Sequence, residues 1–314
     1  MRHEMDCKKK IKFLLLGPLT LNTPYEEDLI GHLTAPKPRK IVALLVLQAN
    51  HVVTTAAMAR ELWGDNPPAS MQTTLQTYVL QVRKLLGRAL GRTSAEVAEH
   101  VLVTKFGGYQ LNLRADEVDL HEFDQLAEEG RRAIADGNDE TAVRLLSRAM
   151  DIWSGPPLVD MQVGPLLDAE IRRLEESRLT VLMQRNDAKL RLALHNELPG
   201  ELAGLVTEYP MHENLHAQYM LSLYRSGRCS DALLAFRRLR EHLVGELGLE
   251  PSVKLQRLHG AILSADPGLS RLEFTEIDSL LDHFVETVEL PGPLRGHRGP
   301  RGHRQGQSVV ARRQ

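Results

Sequence analysis

A mainly α-helical protein with small β-sheets is predicted by three observations: a polar-faced helix followed by a hairpin, a recurring helical spacing, and a division of charge. In the first, PPASMQTTLQTYVLQVRKLLG from Pro67 carries apolar residues at helical spacing, and VLVTKFGGYQL, running just past Tyr109, then reads as two strands around a Gly-Gly turn. In the second, one apolar spacing at offsets 0, 4 and 7 recurs three times after residue 140. In the third, residues 1–115 hold 15 Lys+Arg against 9 Asp+Glu, net +6, whereas residues 116–275 hold 18 against 27, net −9. A polar-faced helix followed by a basic hairpin is the layout of a winged helix-turn-helix, whose helix lies in the major groove of DNA while the hairpin touches the flanking backbone. The charge division fits DNA contact by the front and protein contact by an α-helical tetratricopeptide-like repeat domain at the rear.

After a flexible extension over residues 1–9, the front domain spans residues 10–115. Lys10 to Leu16 and Leu19 to Leu21 flank a Gly17-Pro18 turn and read as two short strands, and a further strand fits before Pro36. From Pro38 to Asn50, Ile41, Val42, Leu44, Leu45 and Leu47 recur at helical spacing. Thr54 or Thr55 caps a second helix that runs to Trp63, with Met58, Leu62 and Trp63 inward and Gly64 closing it. A turn through Asp65-Asn66-Pro67-Pro68 launches the third helix, with Ser70 in the capping position.

In that third helix Leu75, Val79, Val82 and Leu86 fall at steps of four, three and four and form the stripe that packs inward. Thr73, Gln76, Thr77, Leu80, Gln81 and Lys84 therefore lean outward. A glutamine amide offers a donor and an acceptor to a base edge, a threonine methyl meets a thymine methyl, and this face has no carboxylate to repel phosphate. Lys105 stands before the hairpin tip, and Gly107-Gly108 permits a tight turn with positive φ.

The rear domain spans residues 116–270. Ala142, Leu146 and Ala149, then Leu198, Leu202 and Leu205, then Ala232, Phe236 and Leu239 repeat the same spacing, and the last two copies start 34 residues apart, the period of tetratricopeptide repeats. Gly137 and Gly227 each stand five residues ahead of their copy, where such repeats turn between paired helices. The first gap is 56 residues because a Pro/Gly-rich loop from Trp153 to Pro165 is inserted. A helix over residues 271–290, with Ile277, Leu280, Leu281, Phe284 and Val288 on one face, is expected to cap the last repeat. Residues 291–314, rich in Gly, Pro, Arg and His, are expected to be disordered.

Enzyme signatures are weak. His212-Glu213-Asn214-Leu215-His216 satisfies the H-E-x-x-H zinc pattern, but it starts just after Pro210 and lacks the extended H-x-x-G-x-x-H. There is no phosphate-binding G-x-x-x-x-G-K-[ST] loop and no dinucleotide fingerprint between a strand and a helix, so neither an enzyme nor a cofactor is expected. Cys7 and Cys229 lie far apart in no metal or redox spacing. No apolar run is long enough to span a membrane and no secretory signal is evident, so the chain is expected to be cytoplasmic and nucleoid-associated. A reading from another class, a protein-interaction scaffold in which the repeats hold a peptide, is separated from DNA binding by salt-dependent DNA retention of residues 1–115.

The segments LWGDNPPASMQTTLQTYVLQVRKLLG and VTKFGGYQL, after a small sheet and two helices, resemble the OmpR-type winged-helix domain at the front of the SARP family, the actinobacterial activators of antibiotic-pathway genes. VDLHEF at Val118 to Phe123 and WSGPPLVD at Trp153 to Asp160 resemble the start of the bacterial transcriptional activation domain that follows it there. The resemblance covers about residues 10 to 270. It implies base-edge contacts for Gln76, Thr77 and Gln81, and phosphate contacts for Thr73, Thr74, Tyr78 and Arg83 with help from Tyr109; Lys84, on the outward face, is expected at the DNA backbone as well. Lys105 stands where that fold often has a wing arginine; lacking the planar fork, it suits a phosphate. The implied partners are double-stranded promoter DNA with direct repeats, RNA polymerase holoenzyme including its sigma factor, and a second copy of the chain as a homodimer on DNA.

Overall fold

The computed structural model describes residues 11–270 apart from residues 24, 25 and 27. The expectations for residues 1–9, 271–290 and 291–314 lie outside the described residues.

The chain opens with β1 (Lys12–Leu14) and β2 (Thr20–Asn22), antiparallel, with Phe13 opposite Leu21 and both side chains buried. Where a further strand fits the sequence before Pro36, the chain instead makes a 3₁₀ turn, Leu29–His32. Adjacent Leu29 and Ile30 are both buried, which a strand with side chains on alternate faces could not achieve against one core. Helix α1 (Pro36–Leu47) starts two residues earlier than expected, with Pro36 in its opening turn, where a missing N–H costs nothing. Then come β3 (Val52–Thr54) and α2 (Thr55–Trp63); Thr54 is the capping residue, its Oγ1 accepting from the Ala57 N–H at 3.1 Å. Helix α3 (Met71–Leu90) is the 20-residue element at the centre of the front domain.

A short helix α4 (Ser94–His100) precedes the hairpin of β4 (Leu102–Lys105) and β5 (Gly108–Leu111). Its local signal is a capping box: Thr93 accepts from the Glu96 N–H while the Glu96 carboxylate accepts from the Thr93 N–H. The sheet order is β3-β5-β4, all antiparallel, so β5 is the central strand.

The rear is helical throughout: α5 (Asp119–Ala135), α6 (Asp139–Asp151), α7 (Pro165–Arg191), α8 (Leu198–Glu208), α9 (Glu213–Arg225), α10 (Cys229–His242) and α11 (Val253–Leu263). Gly137 and Gly227, at φ of 71° and 75°, turn the chain between α5 and α6 and between α9 and α10. The recurrent stripe is the buried seam: Ala142, Leu146, Ala149, Leu198, Leu202, Ala232 and Leu239 are fully buried, Phe236 nearly so, and Leu205 partly. The long first gap comes from α7 as well as from the loop. At 27 residues α7 is a rod of about 40 Å.

That rod ties front to rear. Leu167, Leu174 and Val181 belong to the same apolar core as α1, α2 and α3, while Leu179 and Leu190 belong to the repeat core. Glu61 of α2, only 2% exposed, directs its carboxylate at the start of α7 and accepts from the N–H groups of Gly164, Leu166 (2.9 Å) and Leu167 (3.1 Å). A carboxylate there satisfies orphan amides and meets the positive end of the helix dipole. Asp119, at the start of α5, accepts from the Leu15 and Leu16 N–H groups, and Asp160 joins the Leu19 N–H to the Arg39 guanidinium.

Candidate nucleic-acid interface

Helix α3 presents two chemically distinct faces. Leu75, Val79, Val82 and Leu86 are buried against α1 and α2, as the four-three-four spacing requires. Thr73, Gln76, Thr77, Leu80, Gln81 and Lys84 are exposed, and Thr74, Tyr78 and Arg83 are half-buried along the flanks. Thr77 Oγ1 donates to the Thr73 carbonyl at 3.0 Å, which fixes the rotamer and leaves the methyl and an oxygen lone pair outward. Leu80, 46% exposed amid the amides, adds an apolar surface suited to a thymine methyl. Ser70 occupies the N-cap position, yet its hydroxyl makes no capping bond and lies 3.5 Å from Thr74 Oγ1.

The hairpin is set by two glycines with different tasks. Gly107 takes φ of 77° in the two-residue loop closed by the Lys105–Gly108 pair. Gly108 has already entered β5, and a Cβ there would collide with the Val53 carbonyl of the neighbouring strand. The tip is anchored to α2, since the Thr55 N–H donates to the Gly107 carbonyl at 2.9 Å. Thr104, Lys105, Phe106 and Gly107 are all exposed there.

Half-buried Arg83 and buried Tyr109 are both engaged with the wing. The Arg83 guanidinium donates through Nε (3.1 Å) and Nη2 (2.8 Å) to the Leu102 carbonyl, and through Nη2 to Thr104 Oγ1 at 2.9 Å. Its centre lies 5.9 Å from the Tyr109 ring centroid, and burial draws its pKa down from the ordinary value. Tyr109 is 8% exposed and packs in the core. This pair clamps the wing to α3, so the helix face and hairpin tip keep one relative position. The sequence carries no sign of it, because Arg83 and Leu102 meet only through the tertiary fold.

Gln81 and Lys84 also line an open groove of about 360 Å³ with His32, Leu33, Thr34, Ala35, Leu85 and Arg88, so basic side chains continue past the amide and hydroxyl face of α3. The His212-Glu213-Asn214-Leu215-His216 segment opens α9, and its side chains are engaged within the fold. His212 lies at the N-cap of α9, where Nδ1 accepts from the Leu215 N–H; Glu213 accepts from the Ser252 N–H, and His216 is buried. Among the described residues no group of three or more His, Cys, Asp or Glu is placed to hold a metal ion, and no helix is long and apolar enough to cross a membrane.

Comparison with known proteins matches both parts of the chain. The family described as Transcriptional regulatory protein, C terminal, matches residues 32–111, and the family described as Bacterial transcriptional activator domain matches residues 118–263. The chain is 50% identical over 237 residues to the regulatory protein DnrI of Streptomyces peucetius, covering 76% of this chain and 87% of that protein. It is 33% identical over 259 residues to the transcriptional regulator RedD of Streptomyces coelicolor, covering 82% and 72%. Among solved structures it resembles Mycobacterium tuberculosis EmbR in complex with a low affinity phosphopeptide, with a TM-score of 0.76, 30% identity, and coverage of 88% of this chain and 70% of that one.

Proposed function

Because this chain belongs to the SARP family of transcriptional activators, we propose that it switches on a set of antibiotic or other secondary-metabolite genes by binding direct repeats in their promoters. The division of labour follows the two parts of the chain: residues 10–115 read the DNA, and the helical repeats of residues 116–270 hold protomers together and meet the transcription machinery. The carrying observation is the uncharged amide and hydroxyl face of α3, turned outward by a fully buried apolar stripe on the opposite side.

In this reading Gln76, Thr77 and Gln81 meet base edges. Thr73, Thr74, Tyr78, Lys84 and Lys105 meet phosphates, and Arg83 with Tyr109 fixes the wing beside them. Two protomers bound head to tail read sites one helical turn apart on one face of the duplex, about 10 to 11 base pairs centre to centre. The finer partners are a homodimer on DNA and RNA polymerase holoenzyme engaged partly through its sigma factor, with no catalytic step and no cofactor, in the cytoplasm on the nucleoid.

Binding titrations on matched and scrambled repeats at two salt concentrations test the reading. Gln76→Ala relaxes discrimination at one base position by about 1 to 3 kcal/mol, whereas Lys105→Ala weakens every sequence alike and flattens the salt slope. Equal losses on every sequence for both variants contradict the assignment.

A further inference from the structure

Resting on the DNA-binding reading above, we propose that Phe106 is a wedge that enters the minor groove beside the recognition helix and partly unstacks one base step there. Its ring is fully solvated, at 106% of the reference exposure; the next most exposed large apolar residue among those described, Leu263, stands at 61%. The side chain does nothing for the fold. A two-residue loop closed by the Lys105–Gly108 pair needs Gly107 for its positive φ and asks for no aromatic beside it.

The tip that carries the ring is held from two sides. Thr55 bonds the Gly107 carbonyl through its N–H and, at 3.3 Å, through Oγ1, while Arg83 holds the stem at Leu102 and Thr104. The pinned backbone of this narrow tip presents the side chain toward a groove about 6 Å wide without a cost for ordering the loop, leaving only the rotamer freedom of the ring to be lost. Exposed Lys105 next to it supplies the charge that the electronegative minor groove attracts. Apolar wedges of this kind unstack base steps, and pyrimidine–purine steps yield at least cost. Phe106 thus makes binding depend on a flexible step at a position where no side chain reads a base edge.

The test uses the full chain and duplexes recovered by the wild-type protein from a randomised DNA pool, with 2-aminopurine placed in turn at the steps flanking the major-groove contacts. Wild-type protein is expected to raise the fluorescence at one flanking step. Phe106→Ala is expected to abolish that rise and lower affinity about tenfold, the size of one base–aromatic contact, with an unchanged salt slope. Phe106→Leu keeps most of both signals. Thermal unfolding of both variants matches wild type, since the ring packs on nothing. Unchanged affinity and fluorescence in Phe106→Ala overturn the wedge while leaving DNA binding intact. A loss confined to two-site duplexes also overturns it and assigns the ring to contact between protomers. Failure of the wild-type chain to enrich any duplex removes the wedge and the DNA-binding reading together.

Discussion

Arg83 ties the wing to α3 through one side chain. Its guanidinium makes three charge-assisted bonds to the wing, so Arg83→Ala leaves the Leu102 carbonyl and Thr104 hydroxyl without that donor. The expected cost is about 1 to 3 kcal/mol of unfolding free energy in urea, with DNA affinity falling as the wing loosens. Lost affinity with unchanged stability would identify Arg83 as a phosphate ligand instead. His216 makes a second residue-scale prediction. Burial holds its pKa down from 6.5 to about 4; the nearby His242 and His212 act in the same direction, and the Pro210 backbone and Glu213 oppose them. The unfolded chain binds a proton at this site below about pH 6.5 that the folded chain refuses until about pH 4. Stability is therefore complete above that window and falls as pH drops through it, by on the order of 3 kcal/mol. His216→Leu is expected to flatten this part of the urea stability profile between pH 7 and 4; an unchanged profile would show that other groups produce it.

Among the elements, α7 has the widest reach, because its first turn rests on Glu61 and its last turns lie in the repeat core. Glu61→Ala strands buried amides and is expected to cost about 2 to 3 kcal/mol and to split thermal unfolding into separate front and rear transitions. A single transition at the wild-type temperature would contradict this coupling. What was legible in the sequence follows the same division between local and distant causes. The α3 stripe and the 0, 4, 7 seam are periodic, so each repeated turn restates the same burial and the pattern survives one irregular position. Strand β3 has three residues and α4 seven, too few for a period to emerge; the one local signal of α4, Thr93 three residues before Glu96, went unread. The Arg83 clamp joins residues 19 and 21 positions apart, and the Glu61 contacts span more than 100, so neither leaves a local pattern. Glu61 did leave one clue: with Met58 and Leu62 it falls on the inward face of α2, where a carboxylate needs donors.

At the scale of the molecule, α7 shares one apolar core with the front of the chain through Val181, and Leu179 and Leu190 carry it into the separate core of the later repeats. In the proposed assembly, α7 is the element that links a protomer's DNA-binding part to the repeats through which it meets its neighbours. Selection of bound duplexes from a randomised pool by the full chain, run in parallel with Gln76→Ala, tests this account most directly. It predicts a short motif repeated in the same orientation at about 10 to 11 base pairs centre to centre, with preference lost at one position of each copy in the variant. Retention of DNA by charge alone, with no motif enriched by the wild-type chain, would contradict it.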